Sequence, residues 1–315
     1  MAQGNSDSRT PKWQRVKQRS LLLLKQSVQT NHNRILTCGF VVLLIYWLTW
    51  LSLIWEAIAH GESAPLLNIG FIYLGLDALW RQRRQLARIS ASEEDRLVGY
   101  LLILGGAAFF PFCPSSVSLR SLICLLILVG VALCNWGIEF FKRHPLPIAL
   151  LLISIHPDLG FIANTLRRTL TGKQLEHAMA WLSGLVLRGI GQPATVEGSI
   201  LSLSTTIEAK KAVDVASGCS GFDMAFMLAG VGVIMGLFFK RSWSKIAALV
   251  AAGVALALVF NVPRIIMLAF AVVYWGKDSF EFWHGAIGGQ IFASILLTAY
   301  YYIAMAMLRK GASNL

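Results

Sequence analysis

The chain has 315 residues, 56% of them hydrophobic and only 14% charged, with a mean hydropathy of +0.62. So few charges cannot cover a soluble domain of this size, and the composition predicts an all-α polytopic membrane protein with about eight transmembrane helices. The net charge of +12 does not call for nucleic acid. The basic residues flank apolar runs, where orientation in an anionic membrane accounts for them, so membrane lipids are the expected partners. Five cysteines without CxxC or paired spacing suggest neither a disulfide framework nor a zinc site.

Residues 1–34 are polar and basic, and within them "WQRVKQRSLLLLKQSV" reads as an amphipathic helix on the membrane surface. Apolar runs follow near residues 35–55, 65–80, 97–113, 119–138, 146–164, 222–239, 246–262 and 285–308. They make 35–308 one transmembrane domain and 309–315 a short tail. The fifth run contains Pro147, His156, Pro157 and Asp158 and is the weakest span. Ala57-Ile58-Ala59 resembles a signal-cleavage site. The run before it is about 21 residues long and sits behind a basic leader, so an uncleaved anchor is expected.

Eight spans put both termini on one side. Segments 1–34, 81–96, 140–145, 240–245 and 309–315 hold 19 of the 28 Lys and Arg residues. The termini are therefore expected in the cytoplasm, and the long 165–221 segment outside the membrane. In that segment "TLRRTLTGKQLEHAMAWLSGLVLRGIG" reads as one amphipathic helix ending at glycines. "SILSLS" and "AVDVAS" alternate as a small β-hairpin would.

This topology gathers a thiol, a permanent cation and an imidazole at one level, the outer membrane boundary. Cys219 lies just before the sixth span, Arg264 just after the seventh and His284 just before the eighth. A cysteine near an apolar run is ordinarily a small packed hydrophobe. Ser220 and Asp223, however, fit a capping box opening the sixth span, which would place Cys219 at the positive end of a helix dipole and favour its thiolate. Asp223 then reads as a helix cap rather than a catalytic acid.

Arg264 is followed by the apolar stretch Ile265 to Gly276 and so reads as embedded, with Pro263 breaking the helix beside it. An embedded arginine needs a partner. His284 alone would be an interfacial histidine, but Gly285, Gly288 and Gly289 behind it would let another helix approach. Cys38, Cys113, Cys124 and Cys134 lie in or beside spans, Asp77 lies beside arginines, and His60, His144 and His177 lack metal-ligand spacing.

At "SGCSGFDMAFMLAG", "NVPRIIML" and "FWHGAIGG" the sequence resembles, in order, the Cys, Arg and His boxes of the exosortase/archaeosortase family. It looks most like the cyanobacterial branch, and the resemblance covers about residues 30–310. Asp223 departs from the mostly apolar pattern expected after the cysteine. The resemblance implies a thiol protease and transpeptidase of the bacterial plasma membrane, without metal or organic cofactor. Its partners would be secreted proteins ending in a short motif such as Pro-Glu-Pro, a transmembrane helix and a basic tail. The enzyme would cut this signal outside the membrane and pass the protein to an acceptor, often linked to exopolysaccharide production.

The residues fit that chemistry. Cys219 would form an acyl-enzyme, Arg264 would hold the oxyanion, and His284 would move protons to the leaving amine and from the incoming nucleophile. Two other readings stay open. A transporter could bind an anionic substrate at an embedded arginine beside a broken helix. A membrane acyltransferase could use Cys219 on a lipid substrate.

Overall fold

A computed structural model describes residues 30–59, 64–113, 116–204 and 212–309. The amphipathic stretch expected at 13–28 lies outside them. The apolar runs form α1 (Asn31–Ala59), α2 (Ala64–Arg81), α3 (Glu93–Phe109) and α4 (Val117–Arg143). The run near 146–164 forms two shorter helices, α5 (Pro145–Ile153) and α6 (Leu159–Leu170), and α7 (Gln174–Gly189) follows. Three short strands come next: β1 (Thr195–Glu197), β2 (Ile200–Ser202) and β3 (Ala212–Asp214). The chain ends in α8 (Phe222–Phe238), α9 (Trp243–Phe270), α10 (Lys277–His284) and α11 (Ala286–Arg309).

Among the described residues, five helical stretches are long and apolar enough to cross a membrane: Asn31–Ala59, Glu93–Phe112, Val117–Arg143, Trp243–Trp275 and Ala286–Arg309. α8 is equally apolar but has only 17 residues, which span about 26 Å against a hydrocarbon core of roughly 30 Å. The protein is thus a multi-pass, all-helical membrane protein with a small sheet.

Two expectations about the spans need correction. The fifth run is not one span, because α5 has nine residues and reaches only about 13 Å. The chain then leaves the helix, Pro157 has no N–H to offer, and Asp158 restarts α6 by accepting from the Phe161 N–H at 3.1 Å. Nor does Pro263 break the seventh span. α9 runs through it and continues as a π-helical turn, Ala271–Trp275, giving a 33-residue helix of about 50 Å.

The chain divides into two compact units: residues up to Trp50 with Leu79–Ile148, and Leu51–Ala78 with Ala149 onward. In the first, α3 and α4 pack with their backbones close. A Cβ on Gly99 would lie 2.7 Å from the Gly130 carbonyl oxygen, and one on Gly130 would lie 2.8 Å from that of Gly99. Small residues of this kind let helices associate where lipid removes any hydrophobic drive between them. Ile103, Ile127 and Cys134 fill the contact.

The second unit uses the same device. Gly253 of α9 lies against Leu228 of α8, where an added Cβ would come within 3.1 Å of the Leu228 backbone and side chain. Tyr300 of α11 is fully buried there and donates to the Leu249 carbonyl at 3.0 Å. α2 joins through Leu67, Phe71 and Leu74, and its buried Asn68 donates to the Pro157 carbonyl at 2.9 Å, tying the α5–α6 break in place.

Above the start of α8 sits a cap. The segment expected to be one amphipathic helix is two, α6 and α7, because Gly172 takes φ +53° between them. Arg167 bridges that corner, donating to Glu176 Oε1 at 2.5 Å and to Asn164 Oδ1 at 3.0 Å. The strands form one antiparallel sheet in the order β1-β2-β3, with Leu201 opposite Val196 on one side and Val213 on the other. Thus "SILSLS" and "AVDVAS" contain β2 and β3, and β1 is an additional strand. Leu201 and Val213 bury against Met179, Ala180 and Leu187 of α7 and against Ile265, Leu268 and Ala269 of α9. Ile265, Leu268 and Ala269, in the apolar stretch after Arg264, are therefore covered by the cap.

Candidate active site

Cys219 ends a single 3₁₀ turn, Ser217–Cys219, between β3 and α8. The turn is closed by the Cys219 N–H donating to the Ala216 carbonyl at 2.9 Å. Two residues later Gly221 adopts φ +79°, the left-handed region, to swing the chain into α8. The expected capping box is therefore not formed. Gly221 occupies the N-cap with no side-chain cap bond, and Ser220 Oγ accepts the near Phe222 N–H at 3.4 Å. Asp223 does not cap the helix; it faces a groove described below.

Asn261 holds this turn against α9. It is fully buried, and its Nδ2 donates to the Cys219 carbonyl at 2.8 Å. Its side chain lies so close to Gly221 that a Cβ there would sit 2.8 Å from Asn261 Cγ. Gly221 is thus required twice, for its backbone angle and for the space. Arg264 stands one turn further along the same helix, and Ile265 beside it packs in one cluster with Cys219.

The thiol is only 3% exposed. Burial pushes its pKa up from the ordinary cysteine value, the Arg264 guanidinium pulls it down, and the Asp214 carboxylate pushes it up again. The thiolate expected from a helix dipole is therefore opposed mainly by desolvation. Arg264 Nε is buried and has no hydrogen-bond partner among the described residues, which leaves that donor for another acceptor.

His284 ends α10 with its ring exposed and stacked on Phe280, centroids 5.2 Å apart. Phe280 and Trp283 of the same helix pack against the Cys219 cluster. No hydrogen bond among the described residues joins His284 to Cys219 or Arg264. The structure brings Cys219 and Arg264 together and places His284 on a helix that leans on their cluster. The glycines behind His284 serve the corner between α10 and α11, since a Cβ on Gly285 would lie 2.6 Å from the Glu281 carbonyl and one on Gly288 would strike the Trp283 backbone.

Two cavities adjoin the segments before and after the Cys219 turn, and Cys219, Arg264 and His284 line neither. One, of about 440 Å³, lies in the cap and is lined by Arg167, Arg168, Lys173, Glu176, Asp214 and Ala216, among others. The other, of about 1240 Å³, is a groove lined by apolar residues of α2, α6, α8 and α11, including Leu66, Phe161, Met224, Phe226 and Leu297, with Asp158 and Asp223 on its wall.

A family model described as transmembrane exosortase matches residues 50–301. The chain belongs to the transmembrane exosortase family. No curated protein and no solved structure matches it. The matched range of this exosortase contains Cys219, Arg264 and His284 together with both cavities' linings.

Asn261 lies within "NVPRIIML", where the sequence does not mark it out as a site residue. The signal available was a lone amide in the run "ALALVFNV". The Arg167–Glu176 pair carried no signal, because helical periodicity continues across Gly172.

Proposed function

We propose that this exosortase is a membrane cysteine transpeptidase that removes the C-terminal sorting signal of secreted proteins and transfers them to an acceptor. Cys219 gives its proton to His284, and the thiolate attacks the scissile carbonyl carbon. Arg264 stabilises the oxyanion, its free Nε–H and fixed charge aimed where charge develops. The C–N bond breaks as the His284 imidazolium protonates the leaving amine, and a thioester remains on Cys219. An incoming amine or water attacks that thioester, His284 takes its proton, and the thiolate departs. His284 reaches this position with substrate bound, as catalytic hydrogen bonds are often open in a free enzyme.

The observation that carries the reading is the Asn261 clasp, which donates to the Cys219 carbonyl at 2.8 Å and holds the cysteine turn against α9 one turn before Arg264, whose buried Nε has no partner among the described residues. The groove beside Asp223 suits the first turns of a signal's apolar helix, and the cap side suits its motif. The cap faces outside the plasma membrane in this reading, with the termini in the cytoplasm, as the basic residues favour.

The test is a secreted reporter ending in a Pro-Glu-Pro motif, an apolar helix and a basic tail, expressed with the full chain. Loss of its C-terminal segment, abolished by Cys219→Ala at equal membrane abundance, is the expected result. Unchanged processing by Cys219→Ala would remove the thiol from the chemistry and sink the proposal.

A further inference from the structure

We propose that Asp223 is a binding site for a primary ammonium group, the amino terminus that cleavage leaves on the released signal helix; this rests on the function proposed above. The larger groove is the place for that product. Its lining is mostly apolar, and it includes Asp158 and Asp223 but, among the described residues, no lysine, arginine or histidine. The guest that complements such a surface is an apolar body with one cationic group.

Asp223 is uncommitted. It stands in the first turn of α8, four residues after Cys219, exposed and without a hydrogen bond or ion pair among the described residues. Arg167 and Arg264 are the cations whose charge reaches it, but neither lines the groove. Arg167 is held by Glu176 and Asn164. Asp158 already accepts from the Phe161 N–H, so it adds negative charge to the wall and leaves Asp223 as the free acceptor. The same groove is lined by Ala286, Gly289 and Ala293 of α11, and a Cβ on Gly289 would meet nothing within 4 Å. The chain itself leaves this run of small residues open, with room for the backbone of a further helix.

The proposed reaction supplies that helix with its charge. When the C–N bond breaks, the acyl half stays on Cys219, and the other half is the signal helix with a new amino terminus. The proton from His284 makes the leaving nitrogen a neutral amine. A second proton, from water, makes it an ammonium, since an α-amino group has a pKa of about 7.7–8.0. A cation at a helix N-terminus opposes the helix dipole, so it gains from a carboxylate beside it. In the uncut substrate the same nitrogen is a neutral amide. The groove therefore holds the severed helix more tightly than the intact one, and turnover waits on departure of the by-product.

Binding is the measurement, read apart from turnover. The full-length Cys219→Ala chain in zwitterionic lipid nanodiscs is titrated with three fluorescent peptides that share one apolar helix, with empty nanodiscs as the baseline. One begins with a free amine, one with an acetylated amine, and one is acetylated but carries lysine as its first residue. At pH 7 the free-amine peptide is expected to bind about tenfold tighter than the acetylated one, the scale of one charged hydrogen bond. That preference should fade above about pH 8, as the amine loses its proton. Asp223→Asn should abolish it while keeping the binding of the acetylated peptide and the parent's melting temperature, because Asp223 is exposed and unbonded. Equal binding of the free and acetylated peptides, or a preference that survives Asp223→Asn, overturns the site. A lysine peptide that matches the free-amine peptide also overturns it, since the site would then read a side chain and not a cleavage product. The two readings fail separately: a reporter that is processed by a chain with no free-amine preference overturns the ammonium site and leaves the transpeptidase standing.

Discussion

Cys134 and Cys219 are both buried, at 1% and 3% exposure, and each feels a nearby arginine, Arg96 or Arg264. Burial and a neighbouring cation therefore do not make a nucleophile. Cys134 is wedged between α3 and α4, where a Cβ on Gly99 would lie 2.5 Å from its sulfur, and its thiol donates to the Arg96 carbonyl at 3.7 Å. Cys219 ends a turn between two segments that each line a cavity, and its backbone rather than its thiol carries the structural hydrogen bonds. What separates the two is that the Cys134 thiol is tied to a carbonyl, whereas the Cys219 sulfur makes no hydrogen bond among the described residues.

Arg264→Lys tests that contrast most severely. If the guanidinium only neutralised its surroundings, lysine would serve, since charge and apolar stem are both kept. If it holds an oxyanion, the planar fork matters, and losing an aligned donor lowers turnover by roughly 10²–10³. The expected outcome is normal membrane abundance, intact Cys219 and reporter processing reduced to that extent. Cys134→Ala, assayed beside it, should process normally and show only a lower melting temperature from the void it leaves. Near-parental processing by Arg264→Lys, or a catalytic loss in Cys134→Ala, would break the comparison.

A smaller effect is expected at Asn261. Removing its amide leaves the buried Cys219 carbonyl unsatisfied, at about 1–3 kcal/mol. Asn261→Ala should melt lower by that scale and process more slowly, while Cys219 labels faster with a maleimide because its turn is no longer held. Gly221→Ala should mimic it through strain, since alanine at φ +79° meets both the left-handed penalty and the Asn261 side chain. Slower labelling in Asn261→Ala would mean that the clasp is not what shields the thiol.

The helices were legible because an apolar run reads the same whether or not its neighbours are known. Their surroundings were not. Ile265, Leu268 and Ala269 look lipid-facing in sequence but are covered by α7 and the sheet, and apolar residues do not record what covers them. The same limit hid the role of Asn261, whose partner is a backbone carbonyl 42 residues away. The order Cys, Arg, His is visible in the sequence, yet the turn at Gly221 reads there as a capping box because Ser220 and Asp223 have the right spacing for one. Only the left-handed angle at Gly221 decides between the two.

The smallest effect concerns Asp214, on the cap side of the thiol. Its carboxylate repels a thiolate, so it raises the Cys219 pKa, the same direction as burial and opposite to Arg264. A folded-state pKa above the unfolded value means the neutral thiol is the form that stabilises the fold. That contribution is present below the ordinary thiol pKa and is lost as pH rises through the raised one. Asp214→Asn removes the repulsion and can keep the hydrogen bond from Ser199. It should lower the thiol pKa, so that labelling of Cys219 by iodoacetamide, in a chain whose other four cysteines are alanine, sets in at lower pH. Arg264→Met should move the same profile to higher pH, and further, because the guanidinium ranks above Asp214 among the influences on this sulfur. Opposite shifts of unequal size are the signature of a thiol poised between two charges. A profile that Asp214→Asn leaves in place, or moves upward, would take Asp214 out of the site's electrostatics and leave desolvation and Arg264 alone to set the reactivity of Cys219.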